Sequence, residues 1–578
     1  MKTRHHKETA PHAPGPTVAS GELQHRGSPV IDARWHAAAG VVAGILLVYV
    51  GFMSAADVRW CADSFSDMND LLAGENYARL GFFKLHLLPV HYFTPSADNP
   101  TYYLHYPPLD AIINGVFQAM GIHSLFVMRL FCGALVVAGL FCTYRAFAPL
   151  VGPLAALCGL AWAGGTGFFS AYGVSLHLSY DTFSLGLFLL FFMRAVHSEG
   201  PTRGARLGAW LPLLVGALVS FEFILYAQIF AWVYVLATGQ LRRRWRLLLL
   251  LATAPLLAVG LKFLQNCWGV GLTATLTDGL GYGEYEERGR WFWLTLLPER
   301  LLERSQRAFF WSWPALLLLA ALVMGLLDRL RDTDESRRRA RALLAGLLLA
   351  PLGWYLFMPR HAWIHLHVTG QFLLLFAAVL GCTVALVLRW AFGSGQPLVA
   401  RVLGVAALLA LIGGEVQSIG WRLSDRKPGL SDILEALGPN ALPPHTAALH
   451  NAYTADFGYF LQRPAWHAPL PNRPFPACVT DLQRRLPADW PLQYYVFLPG
   501  TNDPDTLRVL AENCVGRRLR APQVLLFDIS PLQRPENERP PLPPDVHARQ
   551  LRGEYPEWQV PGFEERLAQI TARYGTAR

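Results

Sequence analysis

The chain between Cys61 and Asp110 reads CADSFSDMNDLLAGENYARLGFFKLHLLPVHYFTPSADNPTYYLHYPPLD. This stretch is rich in acids, bases, histidines and tyrosines, whereas the rest of the chain up to Trp421 is largely apolar. Before it lies Ala37–Ala55, an apolar run long enough to cross a bilayer at about 1.5 Å per residue. After it lies Leu109–Gly121, which is shorter. Ionisable side chains gathered at a membrane surface indicate chemistry rather than packing.

The overall composition is that of a polytopic membrane protein. Of 578 residues, 53% are apolar and only 16% are charged, which is unlike a soluble enzyme. The net charge of +9 comes from Lys and Arg clusters beside apolar segments, as expected for cytoplasmic loops, so no nucleic-acid partner is predicted. The eight cysteines have no CxxC spacing and imply neither a zinc site nor a disulfide framework.

The predicted fold is an all-α polytopic membrane protein with a small extracytoplasmic α/β domain at its C-terminal end. Residues 1–35 are polar and basic, so they are expected to form a disordered cytoplasmic tail rather than a cleavable signal. Residues 36–421 form the transmembrane domain, with a first outer loop at 56–123. Residues 422–578 are expected to form the α/β domain and a Pro-rich tail.

Apolar runs predict about eleven spans. Basic clusters at 194–206, 242–246, 329–341 and 389–401 are all cytoplasmic only if an even number of spans separates each pair. The predicted spans are 37–55, 125–144, 150–168, 181–196, a tight pair within 207–237 that turns near Glu222, 247–264, 308–327, 342–358, 369–388 and 402–419.

Leu109–Gly121 is the ambiguous segment. It is short for a span, and Asp110, Asn114 and Gln118 recur every four residues as one polar stripe. A crossing here would place the 194–206 cluster outside. We therefore predict an amphipathic helix lying in the outer interface.

After Trp421 the chain alternates between helix-like and strand-like runs. Helices are predicted at 431–437, 480–486 and 505–513, and strands at 492–498 and 523–529. Cys478 and Cys514 share this region, and two outcomes stay open, a disulfide bond or two free thiols.

Three short motifs carry a family resemblance. They are ENYARLGF (Glu75–Phe82), YLHYPPL (Tyr103–Leu109) and GIHSLFVMRL (Gly121–Leu130). Together they resemble GT-C glycosyltransferases, in the branch of protein O-mannosyltransferases and lipid A aminoarabinose transferases. The resemblance extends over residues 37–196, with a fainter echo at 359–372. It implies a polyprenyl-phosphate-linked sugar donor and transfer at the extracytoplasmic face.

The sequence departs from the family pattern at two places. Gly74 and Glu75 precede Asn76 where Ala-Arg is common, and Tyr106 stands before the two prolines where Lys or His is common. His105 is the candidate that replaces that cation.

Displacing a lipid phosphate from an anomeric carbon requires a base for the acceptor proton and cations for the leaving group. Asp67 best matches the family's loop acid and is the predicted base, with Asp63 and Asp70 as alternatives. Asp181 is the second predicted catalytic acid, although an acid at the start of a span also serves as a helix cap. Together Asp67 and Asp181 either bracket the acceptor or bind a divalent cation.

The basic segment MPRHAWIHLHV (Met358–Val368) lies at an outer boundary. Its histidines suggest zinc, but no carboxylate or cysteine lies beside them in sequence, so no metal site is predicted. Phosphate contact is the favoured role, and an interfacial anchor is the alternative. The predicted substrate-binding residues are Asp63, Asp70, Arg79, Lys84, His105, Tyr106, His177, Arg360, His365 and His367.

The sequence therefore predicts an inverting glycosyltransferase of a bacterial inner membrane, with a protein, lipid or glycan as acceptor. Two other classes stay open. One is a transporter or flippase for a lipid-linked sugar, which would place ionisable groups along its spans. The other is a non-catalytic relative whose C-terminal domain binds a partner.

Overall fold

A computed structural model describes most of the chain. The described residues are 32–56, 64–98, 100–198, 202–281, 289–309, 319–320, 322–323, 334–393, 395–424, 430–451, 456–467, 475–484, 486–498, 504–519, 524–534 and 536–574. The predicted span at 308–327 lies mostly outside these residues, as does Asp63.

Helices dominate the N-terminal three quarters of the chain. They are α1 (Ala33–Ser54), α2 (Ser64–Leu80), α3 (Leu109–Ala119), α4 (Leu125–Val151), α5 (Pro153–Gly164), α6 (Gly167–Tyr172), α7 (Ser179–His197), α8 (Arg203–Ala217), α9 (Phe221–Ala237), α10 (Leu241–Gly281), α11 (Gly289–Phe309), α12 (Asp334–Phe357), α13 (Pro359–Ile364), a 3₁₀ segment (Leu366–Phe372), α14 (Leu373–Phe392) and α15 (Leu398–Ser424).

Seven helical segments among the described residues are long and apolar enough to cross a membrane. They are Ala33–Ser54, Leu125–Val151, Ser179–His197, Leu241–Thr277, Asp334–Phe357, Gly370–Phe392 and Leu398–Gln417. Two shorter apolar helices, α5 and α9, pack among them. The predicted class, a mostly helical integral membrane protein, is confirmed, while the total of eleven spans stays a prediction.

Glycine lets two pairs of helices approach closely. A Cβ atom at Gly186 of α7 would overlap the carbonyl oxygen of Gly139 in α4. In the same way, a Cβ at Gly381 of α14 would overlap the carbonyl oxygen of Ala155 in α5. Small residues at such crossings bring backbones together where apolar burial gives little driving force between helices.

The predicted amphipathic helix is present as α3. Its polar stripe faces the protein, because Asp110, Asn114 and Gln118 are all buried, and the Gln118 Nε2 donates to the Leu71 carbonyl of α2 at 2.9 Å. Its apolar side faces outward, with Val116 45% exposed. This polarity is the reverse of a helix on a soluble protein and suits an apolar surrounding. Its interfacial location stays a prediction.

The C-terminal domain contains a five-stranded sheet in the order β2-β1-β3-β5-β4. The strands are β1 (Ala447–His450), β2 (Ala465–His467), β3 (Leu492–Phe497), β4 (Val515–Arg518) and β5 (Leu525–Asp528), and the helices are α16 (Leu430–Leu437), α17 (Asp456–Leu461), α18 (Phe475–Arg484), α19 (Pro504–Asn513), α20 (Pro544–Leu551) and α21 (Phe563–Tyr574). The strands β1, β2 and β3 are parallel, whereas β5 pairs antiparallel with both β3 and β4. The predicted α/β domain is confirmed, and β1, β2 and β4 were not predicted from the sequence.

The expected Pro-rich tail is part of this domain. Trp558, Phe563 and Ile570 lie in its apolar core, and the Arg566 guanidinium donates to the Ala436 carbonyl at the end of α16. The prolines lie between short groups of apolar residues, and these groups pack against the rest of the domain. Composition alone does not reveal this packing. Cys514 is a buried free thiol, and burial raises its pKa to about 12. The side chain of Cys478 lies outside the described residues.

The C-terminal domain packs directly on the first outer loop. Gly458 of α17 lies against Leu72 of α2, and the Tyr92 and Trp466 rings are 5.5 Å apart. The Phe93 and Trp490 rings are 6.3 Å apart. The loop and the domain therefore lie on the same side of the helical body.

Candidate active site

Asp67 is a buried residue that supports the site. Its Oδ2 pairs with the Arg129 guanidinium of α4 at 3.2 Å, and both side chains are fully buried. Its Oδ1 accepts hydrogen bonds from the Ser175 hydroxyl at 3.1 Å and the Leu176 amide at 2.8 Å. Both carboxylate oxygens are thus engaged, and Asp67 holds the segment that carries His177.

Three residues from separate elements form what we call the acid cluster: Asp70, Asp110 and His177. One ligand atom of each lies within 4.8 Å of the others. The His177 Nδ1 forms an ion pair with the Asp110 carboxylate. Burial disfavours the imidazolium, but the attraction and hydrogen bond of Asp110 outweigh it and hold the pKa of His177 well above its ordinary value.

Local structure explains why these residues meet. Asp70 is one helical turn after Asp67 on α2, so both acids share one helix face. Asp110 is in the first turn of α3, two residues after Pro108, and α3 packs along α2. His177 follows the two residues that bind Asp67, which brings its ring to the same place.

A second group, the histidine cluster, consists of His361, His365 and His367. Their ring centroids are 4.2 Å apart for the first pair and 5.2 Å apart for the last. Glu222, in the first turn of α9, lies against them: its Oε1 is 2.6 Å from the His361 Nε2 and 3.7 Å from the His367 Nε2. The Gln371 Nε2 donates to the other oxygen of Glu222 at 3.2 Å.

A cavity of about 100 Å³ adjoins the histidine cluster. Asp181, Thr182, Glu222, His367 and Gln371 supply its polar wall, and the remainder is mainly apolar and aromatic. The Oδ1 of Asp181 accepts no hydrogen bond from any described residue. A buried carboxylate oxygen without a partner on a cavity wall is suited to receive a ligand hydroxyl.

Tyr106 joins the two clusters. Its hydroxyl is 3.1 Å from the His361 Nε2, and its ring centroid is 6.4 Å from that of His177. The residue that replaces the expected cation before the two prolines is therefore a bridge between the first outer loop and the segment after α12.

Asn76 and Arg79 fasten the first outer loop to α2. The Asn76 Nδ2 donates to the carbonyls of Val90 and Tyr92 at 3.0 and 2.7 Å. Arg79 donates to the Thr94 carbonyl and to the Asn76 Oδ1, the latter at 3.1 Å. These contacts make Arg79 part of the loop's framework, and its substrate contact stays a prediction.

The other predicted residues lie around this centre. Lys84 is exposed on the turn after α2. The His105 ring packs edge-on against Tyr103, with centroids 5.2 Å apart. The Arg360 guanidinium lies over the Trp293 ring of α11 at 5.7 Å.

Helix α10 contributes polar residues that sequence analysis did not select. The Gln265 Nε2 donates to the Leu87 carbonyl at 2.5 Å, and the Asn266 Nδ2 donates to the Leu104 carbonyl at 3.3 Å. Lys262, one turn earlier, is buried and acts electrostatically on His91. Burial, reinforced by neighbouring cations, lowers the pKa of His91 to about 4. A lysine within an apolar run was the available signal.

Glu222 and His361 were also not selected as candidate site residues by the sequence analysis. Glu222 stood out only as the position of a turn, and its partners follow it by well over a hundred residues. Asp110 was recognised as part of a polar stripe but not as a candidate site residue. In each case the signal was a single ionisable residue at the end of an apolar helix.

No protein-family model matches this chain, and no curated protein matches it. Solved structures are similar to it at low identity. ArnT from Cupriavidus metallidurans bound to undecaprenyl phosphate is 16% identical over 88% of this chain and 100% of that chain, with a TM-score of 0.45. In the apo state it is 15% identical over 86% and 100%, with a TM-score of 0.48. The Archaeoglobus fulgidus oligosaccharyltransferase tethered with an acceptor peptide is 11% identical over 86% and 75%, with a TM-score of 0.47.

Proposed function

We propose that this protein is an inverting glycosyltransferase that moves a sugar from a polyprenyl-phosphate donor to an acceptor at the outer face of the membrane. The observation that carries the proposal is the acid cluster. Asp70, Asp110 and His177 come from three elements and converge where the first outer loop meets the membrane helices. The motifs of this same loop are those that resemble GT-C glycosyltransferases.

In the proposed reaction, the acceptor hydroxyl attacks the anomeric carbon as the bond from that carbon to the phosphate oxygen breaks. The hydroxyl proton passes to a carboxylate, and the polyprenyl phosphate leaves with the bonding electron pair. One displacement inverts the anomeric centre and requires only one base. We assign the base to Asp70, because the oxygens of Asp67 are already engaged by Arg129, Ser175 and Leu176.

Asp67 becomes a positioning residue in this scheme, and the second catalytic acid predicted from the sequence, Asp181, faces the adjoining cavity. Two cations are candidates for stabilising the leaving phosphate. Arg360 lies on the segment after α12, and Lys262 lies on α10 beside the first outer loop. Charge that develops on a phosphate is stabilised by preorganised cations of this kind.

The proposed topology has a cytoplasmic N-terminus and an extracytoplasmic C-terminal domain in a bacterial inner membrane. Packing of the C-terminal domain on the first outer loop supports placing both on one side. Reporter fusions in Ala441–Pro444 and in Arg337–Arg339 are expected to report opposite sides of the membrane. Fusions that report one common side would contradict this topology.

The function is tested with purified protein and radiolabelled polyprenyl-phosphate sugars, with membrane extract as the source of acceptors. Release of polyprenyl phosphate by the wild-type protein, and its loss in Asp70→Asn, is the expected result. Asp98→Asn is the matched control, because Asp98 is an exposed acid of the same loop. Movement of intact donor across liposomes without any release would instead identify a flippase.

A further inference from the structure

A carboxylate lies beside the histidine cluster, although no acidic residue is close to the three histidines in sequence. His361, His365 and His367 come from one short segment, whereas Glu222 comes from the start of α9. One ring nitrogen from each histidine lies within 4.8 Å of the others. The Oε1 of Glu222 is within 3.7 Å of two of these rings.

Two of the three imidazoles share one oxygen of Glu222. Glu222 Oε1 is closer to His361 than to His367, and the His361 and His365 ring centroids are 4.2 Å apart with their planes tilted by 31°. If several of these rings were protonated, their charges would repel one another in a partly buried place. A cation shared between neutral imidazoles and the carboxylate satisfies all four groups at once.

We propose that His361, His365, His367 and Glu222 form a binding site for a transition-metal ion of the Zn²⁺ class. Three imidazoles and one carboxylate are a donor set for Zn²⁺, Ni²⁺ or Cu²⁺, whereas Mg²⁺ and Ca²⁺ prefer oxygen ligands alone. Bonds of about 2.0–2.1 Å in tetrahedral geometry place donors roughly 3.3 Å apart. The three histidine nitrogens are already within 4.8 Å of one another, and the Glu222 Oε1 is 2.6 and 3.7 Å from two of them.

The surroundings have the partners that metal ligands require. The Gln371 amide donates to the second oxygen of Glu222 at 3.2 Å, and the Tyr106 hydroxyl is 3.2 Å from the Nδ1 of His361, the ring nitrogen that does not face Glu222. Hydrogen bonds of this kind orient metal ligands and set the ring tautomer. Four protein ligands close the coordination sphere, which is the pattern of a structural site.

The metal would clamp the segment after α12 to the first turn of α9. His367, Glu222 and Gln371 line the cavity that Asp181 also faces, so the ion would fix one wall of that cavity. This gives His365 and His367 a role different from the phosphate contact predicted from the sequence. The inference does not depend on the proposed reaction.

The test uses full-length protein without a polyhistidine tag, purified in detergent. Elemental analysis is expected to find zinc, and replacement by Co²⁺ is expected to give the visible absorption of tetrahedral cobalt. His365→Ala and Glu222→Gln should abolish that absorption. Gln371→Ala keeps all four ligands and is expected to weaken metal binding by roughly 10- to 100-fold.

His123→Ala is the matched control, because His123 is exposed and outside the cluster; it should bind metal as the wild type does. If a ligand variant fails to fold, the weaker metal binding expected of Gln371→Ala still tests the proposal. The proposal is overturned if the wild-type protein neither carries zinc nor takes up Zn²⁺ or Co²⁺ at micromolar concentration. It is also overturned if folded His365→Ala keeps the wild-type cobalt spectrum. Neither readout depends on sugar transfer.

Discussion

The acid cluster and the histidine cluster are built in opposite ways. Each residue of the acid cluster comes from a different segment, and the ion pair of Asp67 and Arg129 supports the cluster. The histidine cluster comes from one segment, and its carboxylate, Glu222, comes from a distant helix. A cluster that is local in sequence is easily noticed, but the partner that decides its chemistry is not local. For the acid cluster the convergence itself depends on the packing of α2, α3 and the segment before α7.

The largest expected effect separates Asp70 from the other acids of its loop. Asp70→Asn keeps the side-chain shape but removes a usable base, so turnover should fall roughly 100- to 10,000-fold with little change in donor binding. The measurement is single-turnover release of labelled polyprenyl phosphate. Near-normal turnover of Asp70→Asn would return the role of base to Asp67. A comparable loss of turnover in Asp98→Asn would show that removing any negative charge from the loop lowers turnover.

The next largest effect concerns the ion pair of Asp67 and Arg129, which supports the acid cluster. Asp67→Asn leaves Arg129 buried without its carboxylate, which should cost about 3–5 kcal/mol in the free energy of unfolding. Thermal unfolding in detergent measures the loss. Asp67→Asn combined with Arg129→Met should recover part of it, since no unpaired charge then remains. Full stability of Asp67→Asn together with lost turnover would support Asp67 as the base.

A smaller effect is expected where α2 holds the outer loop. Asn76→Ala removes hydrogen bonds to the carbonyls of Val90 and Tyr92, and each group left unsatisfied should cost about 1–3 kcal/mol. Limited proteolysis should then cut near residues 90–95 faster than in the wild type. Asn513→Ala, which removes a single side-chain bond to Val509 in the C-terminal domain, should leave that cleavage rate unchanged.

The smallest expected effect is a dependence of stability on pH that belongs to the acid cluster. The folded-state pKa of His177 is raised above the unfolded value of about 6.5. Its pairing with Asp110 therefore stabilises the fold fully below about pH 6.5, and this contribution is lost as the pH rises through the folded-state pKa. Melting temperatures from about pH 6 upward should decline in the wild type and in His123→Gln. The decline should be smaller in His177→Gln, and an equal decline would refute the assignment.

Much of the architecture could be predicted from periodicity. The apolar runs predicted helices that the structure contains, and the short helix at 109–119 was recognised by its stripe of Asp110, Asn114 and Gln118. The meaning of the stripe could not be predicted. A polar face on a short helix suits water equally well, and only the packing of α3 on α2 shows that it faces protein.

The first outer loop shows the same division at single residues. The sequence alone identified a polar loop with acids at a membrane boundary, because composition and span length are local properties. It could not separate Asp67 from Asp70, which lie one turn apart with the same chemistry. Only tertiary structure places Arg129 beside one and Asp110 with His177 near the other. Glu222 likewise has no histidine near it in sequence, and only folding brings His361 and His367 to it. Contacts between distant segments depend on how helices pack and not on the local sequence pattern.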